Sequence, residues 1–221
     1  MNMNEMVLFV EVVLMFSAIL ILKKFFGKTG LYVWIGLASV LANIQVIKSI
    51  ELFGLSATVG NVMFASVFLA TDLLSECYGK EAAKKGVYMG VTSIIIFIVC
   101  TQLTLWYRPC DFDISQEAMS TLFSLSPRVC AASLLMYILA NVLDVVLYDK
   151  LRKVCNGRML WLRNNVCTIL CNCFENFGLF FLAFSGIYPV KELVTMAIAS
   201  CVIEVVIALC DTPFLYIGKK I

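Results

Sequence analysis

Not one histidine occurs in this chain, and that absence removes whole classes of chemistry. Without imidazole there is no H-E-x-x-H zinc site and no Ser-His pair, and the sequence holds neither a G-x-S-x-G elbow nor a Walker phosphate loop. These gaps oppose a membrane enzyme working through paired carboxylates. They also exclude ATP hydrolysis by the chain itself. Charge is scarce as well. Only 14% of residues are charged and the formal net charge is +2, too little to suggest nucleic-acid binding. No linker, low-complexity tract or internal repeat interrupts the sequence.

What fills the chain instead is apolar. Of its 221 residues 62% are hydrophobic, the mean hydropathy is +0.94, and the apolar runs recur to the end. The reading is all-α: a polytopic transmembrane helix bundle in one domain over 1–221. Set against the roughly 20 residues needed to cross a bilayer, the runs predict spans over 6–22, 31–47, 61–76, 87–107, 129–148, 166–188 and 193–217. The third is short and polar at one end, which leaves open a re-entrant or unwound segment. The N-terminal stretch lacks a basic n-region and a small-residue cleavage site, so it reads as the first span and not as a signal peptide. Most of the ten cysteines lie inside apolar runs, where Cys behaves as a small hydrophobe. The pair Cys171 and Cys173 sits two apart on a helix and points to different sides, which argues against a metal. No cofactor is implied.

The basic residues keep a rhythm. Lys23, Lys24 and Lys28, then Lys80, Lys84 and Lys85, then Lys150, Arg152, Lys153, Arg158 and Arg163, then Lys219 and Lys220 fall in alternate connections: 13 of the 17. Only Lys48, Arg108, Arg128 and Lys191 fall on the other side. The positive-inside rule then places the N-terminus outside and the C-terminus in the cytoplasm. The segment 108–128 becomes the longest external connection, either an amphipathic piece at the interface or a solvated loop.

A carboxylate at membrane depth costs several kcal/mol unless it is paired, protonated or facing water, yet this chain keeps several. Asp72 and Glu76 stand one helical turn apart near the basic end of the third span, where pairing with Lys80 or Lys84 is the plain alternative to a functional role. Tyr137, Asn141, Asp144 and Tyr148 form a polar stripe on the fifth span. Thr168, Asn172, Glu175 and Asn176 form another on the sixth, with Glu175 about halfway along the run. The second span adds Asn43, Gln45 and Lys48. Two readings stay open: a cavity for a small polar solute, or interhelical hydrogen-bond glue. Glu204 and Asp211 share one face of the last span, where proton coupling and a partner-facing or lipid-adjacent role are alternatives.

The set "ANIQVIK", "FLATDLLSECYGKEAAKKG", "NVLDVVLYDKLR" and "LWLRNNVCTILCNCFENFGLFFLAFSG" resembles the queuosine precursor transporters, also called the vitamin uptake transporter family. Its most specific part is T-D-x-x-x-E-x-Y-G from Thr71 to Gly79. The resemblance implies import across a bacterial cell membrane of 7-deazaguanine bases: the nitrile, the aminomethyl form or queuine. It implies polar intramembrane positions at Asn43, Lys48, Asp72, Glu76, Asp144, Asn172 and Glu175, to which the two stripes add Asn141 and Asn176 as expected solute-binding residues. The sixth-span pattern departs from the family's usual Ser, Gln and then Asp, Thr, reading "CNCFEN" here. A guanine-like edge presents adjacent N–H donors that one carboxylate accepts in bidentate fashion; Tyr137 or Phe174 suits stacking on the base. The partners implied are this solute and membrane lipid. A homodimer, and an energy-coupling module for which this chain would be the substrate-capturing subunit, both remain open.

The charge rhythm predicts that membrane-impermeant thiol reagents added outside reach a cysteine introduced near Asp113 but not one near Lys84 or Gly157. Reversed labelling would invert the orientation.

Overall fold

The computed structural model describes residues 2–123 and 127–221, so 124–126 of the segment 108–128 lie outside the described residues. Helix α1 runs Met3–Gln45, β1 Ser49–Leu52, β2 Leu55–Thr58, α2 Asn61–Tyr78, α3 Lys80–Trp106, α4 Gln116–Phe123, α5 Pro127–Val154, α6 Leu160–Phe184 and α7 Val190–Lys220. Straight, the 43 residues of α1 would extend about 65 Å, twice the hydrocarbon thickness. They do not run straight. At Gly27 the backbone takes φ 56° and ψ −134°, a conformation open to glycine, and the chain turns back on itself. Asn4 Nδ2 donates to Glu51 O at 3.1 Å, which brings the two ends of α1 together.

The expected spans 6–22 and 31–47 are therefore the two antiparallel arms of α1. Five described helical segments are long and apolar enough to cross a membrane: α1, α3, residues 131–154 of α5, α6 and α7. Counting α1 twice and adding α2 gives the seven spans expected. Helix α2 is not among those five segments and yet is the most enclosed. From Asn61 to Glu76 every residue except Phe64 is buried, and both arms of α1, α3, α5 and α7 pack around it. A helix that touches no lipid has no need of a lipid-compatible surface, which is why carboxylates are tolerated on it. It is unbroken over 18 residues, about 27 Å, so it is not an unwound segment.

Helix α1 is fastened by Phe16 stacking edge-on against Phe214 of α7 at 5.4 Å and by Trp34 Nε1 donating to Ser66 Oγ of α2 at 3.0 Å. Between Val46 and Asn61 lies an antiparallel hairpin, β1 on β2, turning at Phe53 and Gly54, both with positive φ, as a two-residue type I′ loop requires. This departs from a purely helical reading. Its signal was the Phe-Gly dipeptide between short alternating segments. Short helix α4 is anchored on α3, where Gln102 Nε2 donates to Phe123 O at 2.8 Å and the Phe97 and Phe123 rings meet at 5.9 Å. Its start is capped by Asp113, which accepts from Ser115 Oγ at 2.7 Å and Gln116 N at 3.0 Å. Hydrogen bonds from Ser115, side chain first, hold the Asp113 carboxyl below its ordinary value.

A Cβ at residue 30 would lie 2.3 Å from Leu22 O, and a backbone atom in a helix cannot swing aside. Gly30→Ala and Gly27→Ala are each expected to destabilise the protein by about 1–3 kcal/mol and to lower its melting temperature in detergent by several degrees. Unchanged melting of both would mean that α1 does not fold back at Gly27.

Candidate functional site

On α2 the residues Asn61, Ala65, Phe68, Asp72 and Glu76 recur every three or four positions and so form one face. That face runs from the hairpin end of the bundle to the end where the lysines and arginines collect. Opposite it stand the expected stripe of α5, the expected stripe of α6 continued through Asn164, and the Glu204 to Asp211 face of α7. Helices α2, α5 and α7 descend toward the basic end while α6 ascends, so polar residues meet in layers.

The layer nearest the hairpin encloses a cavity of about 130 Å³, smaller than a drug-sized pocket and of a scale for one small solute. Its polar lining includes Asn43, Tyr137, Asn172, Glu175, Asn176 and Glu204, and among the described residues no lysine or arginine lines it. Tyr137 is held by a 2.8 Å hydrogen bond with Ser39 of α1. Asn176 Nδ2 donates to Asn172 O at 3.0 Å and to Glu204 Oε2 at 2.6 Å. Asn172 Oδ1 is buried without a partner, and Glu175 has none among the described residues. Phe64, Phe68, Phe97 and Phe180 supply flat walls. Two carboxylates, a free amide oxygen and aromatic faces, with no cation, make a space that suits a planar solute rich in N–H donors or carrying positive charge.

Phe68, Ala140 and Cys171 form a small apolar cluster of their own and floor the cavity. Four residues further along α2 and α5, about 6 Å nearer the basic end, come Asp72 and Asp144, each 1% exposed. Asp211 lies in the same layer, where it accepts from Asn164 Nδ2.

The last layer closes the basic end. Glu76 Oε2 accepts from Arg163 Nη1 at 3.0 Å and Tyr148 OH at 3.3 Å, and Glu76 Oε1 accepts from Lys219 Nζ at 2.6 Å. Arg152 Nε stands 4.0 Å away, and Arg152 Nη1 donates to Ser75 O at 3.0 Å. The Arg163 guanidinium lies 5.2 Å over the Tyr148 ring. Lys23 Nζ donates to Gly218 O at 2.6 Å. One carboxylate thus ties α2 to α5, α6 and α7.

Of the residues expected to bind solute, the fold brings Asn43, Asn172, Glu175 and Asn176 to the cavity, and it adds Glu204, expected only as a coupling residue. Asp72 and Asp144 lie beneath the floor, and Asn141 Nδ2 turns back to Tyr137 O at 2.9 Å. Asp211 faces the bundle interior, buried at 0% exposure, not lipid. Lys48 is exposed in the turn before β1, away from the lining. Phe174 is 44% exposed and takes no part in the cavity, unlike Tyr137. Glu76 pairs with neither Lys80 nor Lys84: those reach Asp149 and Glu81. Arg163 lies not in a connecting loop, as the charge rhythm predicts, but inside α6 at 0% exposure. Its place just before Asn164 and the apolar run was the available signal. Ser39 and Asn164, both buried, carried no signal beyond being polar within apolar runs.

A family model described as "Putative vitamin uptake transporter" matches residues 58–218, which covers α2 through α7 and hence every layer of this stripe. The chain belongs to the vitamin uptake transporter family. It is 42% identical over 206 residues to a protein of Bacillus subtilis (strain 168) named "Probable queuosine precursor transporter", covering 93% of this chain and 90% of that one. It is 28% identical over 156 residues to the "Queuosine precursor transporter" of Escherichia coli (strain K12), covering 68% and 67% of the two chains. No solved structure matches it.

Removing the charge of Glu76 leaves Arg163 buried without its counter-charge, and breaking such a pair from one side costs about 3–5 kcal/mol. Glu76→Gln is expected to lower the melting temperature markedly, and adding Arg163→Met to restore part of it. A Glu76→Gln protein that melts like the parent would mean that the pair does not hold the basic end closed.

Proposed function

We propose that this transporter imports queuosine precursors, the 7-deazaguanine bases, into the cytoplasm. The relatives' names supply the solute class. The observation that carries it onto this chain is Glu175, a carboxylate facing the cavity with no partner among the described residues. Such a group needs a donor from the solute, and the ring and exocyclic N–H groups of a guanine-like edge offer two side by side. The oxygen of Asn172 stands ready for another donor. Phe64, Phe68 and Tyr137 give the base flat surfaces on which to stack.

The second acid, Glu204, adds negative charge that no lysine or arginine among the described lining residues offsets. It favours the aminomethyl form, whose ammonium would lose part of its hydration on entering the cavity. With the basic end in the cytoplasm, the structure corresponds to a state closed toward the cytoplasm by the Glu76 cluster. Delivery then requires that Arg163, Lys219 and Tyr148 release Glu76 while the cavity shuts on the hairpin side. That is an alternation between two packings of the same helices.

Expressed in a bacterium unable to make or import queuosine precursors, the protein is expected to restore queuosine in transfer RNA when a deazaguanine base is supplied at low concentration. Unmodified transfer RNA with the nitrile, aminomethyl and queuine forms alike would refute the solute class. In the purified protein, Glu175→Gln opposes a donor to a donor at a cost of about 1–3 kcal/mol, a loss of affinity of roughly fivefold to a hundredfold. Unchanged affinity with lowered melting would make Glu175 a packing residue.

A further inference from the structure

Beneath the cavity floor the bundle carries a layer with too many acceptors and too few donors. Both oxygens of Asp72, both of Asp144 and Oδ2 of Asp211 are buried without a hydrogen-bond partner. The side chain of Asn164 is 0% exposed; its amide group donates to Asp211, yet its own Oδ1 is buried and unpartnered. Thr168, one turn further along α6 and also 0% exposed, has an unpartnered hydroxyl.

Asp72 of α2 and Asp144 of α5 stand at the same level of the bundle, each 1% exposed, near enough to act on one another, and the Cys171 thiol is a neighbour of Asp144. Two carboxylates so placed cannot both be ionised away from water. A single proton between them supplies the missing donor.

The other groups acting on Asp72 come from several helices. They are Asp211 of α7 and Arg163 of α6, with Tyr148 of α5 and Cys167 of α6 alongside. Arg163 is the cation among them, and it is committed to Glu76 at 3.0 Å. Glu76 itself lies one turn below Asp72 on the same face. The pair therefore stands between the cavity floor and the closure of the basic end, one turn from each.

We propose that Asp72 and Asp144 form a proton-binding site, holding one shared proton while the basic end is closed and releasing it to the cytoplasm when Arg163 leaves Glu76. The balance is simple: one proton enters the pair from the cavity side, reducing its charge from −2 to −1, and the same proton departs on the cytoplasmic side. No other bond changes. When Arg163 is freed from Glu76 its charge becomes available to the doubly ionised pair, which ties loss of the proton to opening. This coupling rests on the import reading above; the proton site itself does not.

The test uses the full-length purified protein in liposomes. Infrared difference spectra between acid and alkaline pH are expected to show the carbonyl band of a protonated buried carboxyl in the parent, and that band is expected to be missing from Asp72→Asn and from Asp144→Asn. Substitution of either residue suffices if the other fails to fold. A band unchanged in both variants overturns the site.

In the same liposomes, one proton per neutral base gives an accumulation that grows about tenfold per unit of inward pH gradient, and this dependence is expected to vanish in both variants. Accumulation driven by sodium with no pH gradient overturns the coupling. If no deazaguanine base is taken up by the parent protein while the infrared band behaves as expected, the solute reading fails and the proton site stands. If uptake is normal and neither readout responds to the substitutions, the proton site fails and the solute reading stands.

Discussion

Glu76 is the carboxylate on which the closure of this bundle depends. It sits at the end of the most enclosed helix and draws Arg163, Lys219 and Tyr148 onto its two oxygens. A buried charge is tolerated only when matched, so the position of Glu76 dictates where α5, α6 and α7 come together. Arg163 illustrates the strength of that constraint. A guanidinium at 0% exposure inside an apolar helix would be untenable were its charge not answered at 3.0 Å and its face not covered by Tyr148. The remaining layers follow from this anchor, because it fixes the register of the four helices whose stripes face one another.

Read along that register, the stripe changes character turn by turn. Near the hairpin it is a small cavity with unmatched acceptors. Next comes a thin apolar floor, then a pair of acids without donors, and finally an ion cluster with donors in plenty. Each layer is about one helical turn deep, so a change in one is felt by its neighbours through side chains in direct contact. On the proposed function the solute site must be linked to the closure, and two turns of α2 separate the cavity floor from Glu76.

The lipid-facing surface places the opposite demand on the sequence. Phe9, Leu14, Ile96, Val99 and Leu209 are exposed on the outside of the bundle, where exposure to hydrocarbon costs nothing. The polar groups gather inside because lipid offers them no partner. The fold is thus inverted relative to a water-soluble protein in its outer layer but not in its need to satisfy buried polar atoms. The donor-poor layer around Asp72, like Asn172 Oδ1 in the cavity, is a place where that need is not met by the chain itself.

Spans, helical class, charge rhythm and polar stripes were all legible in the sequence, because hydropathy and helical periodicity are local and the bilayer imposes a fixed length on both. The same locality marked Glu175 as a residue with no interfacial excuse. Tertiary structure alone decided how the carboxylates divide among three different tasks. Asp72, Glu76, Glu175 and Glu204 look alike in sequence, yet Glu175 and Glu204 face the cavity, Asp72 faces Asp144, and Glu76 faces Arg163. Which helix stands opposite which, at which turn, depends on contacts between residues far apart in the chain. Glu76 and Lys219 are 143 residues apart, and no periodicity within one span encodes such a meeting. The doubling back of α1 at Gly27 belongs to the same category, since a glycine beside three lysines reads as a loop until the two arms are seen to pack together.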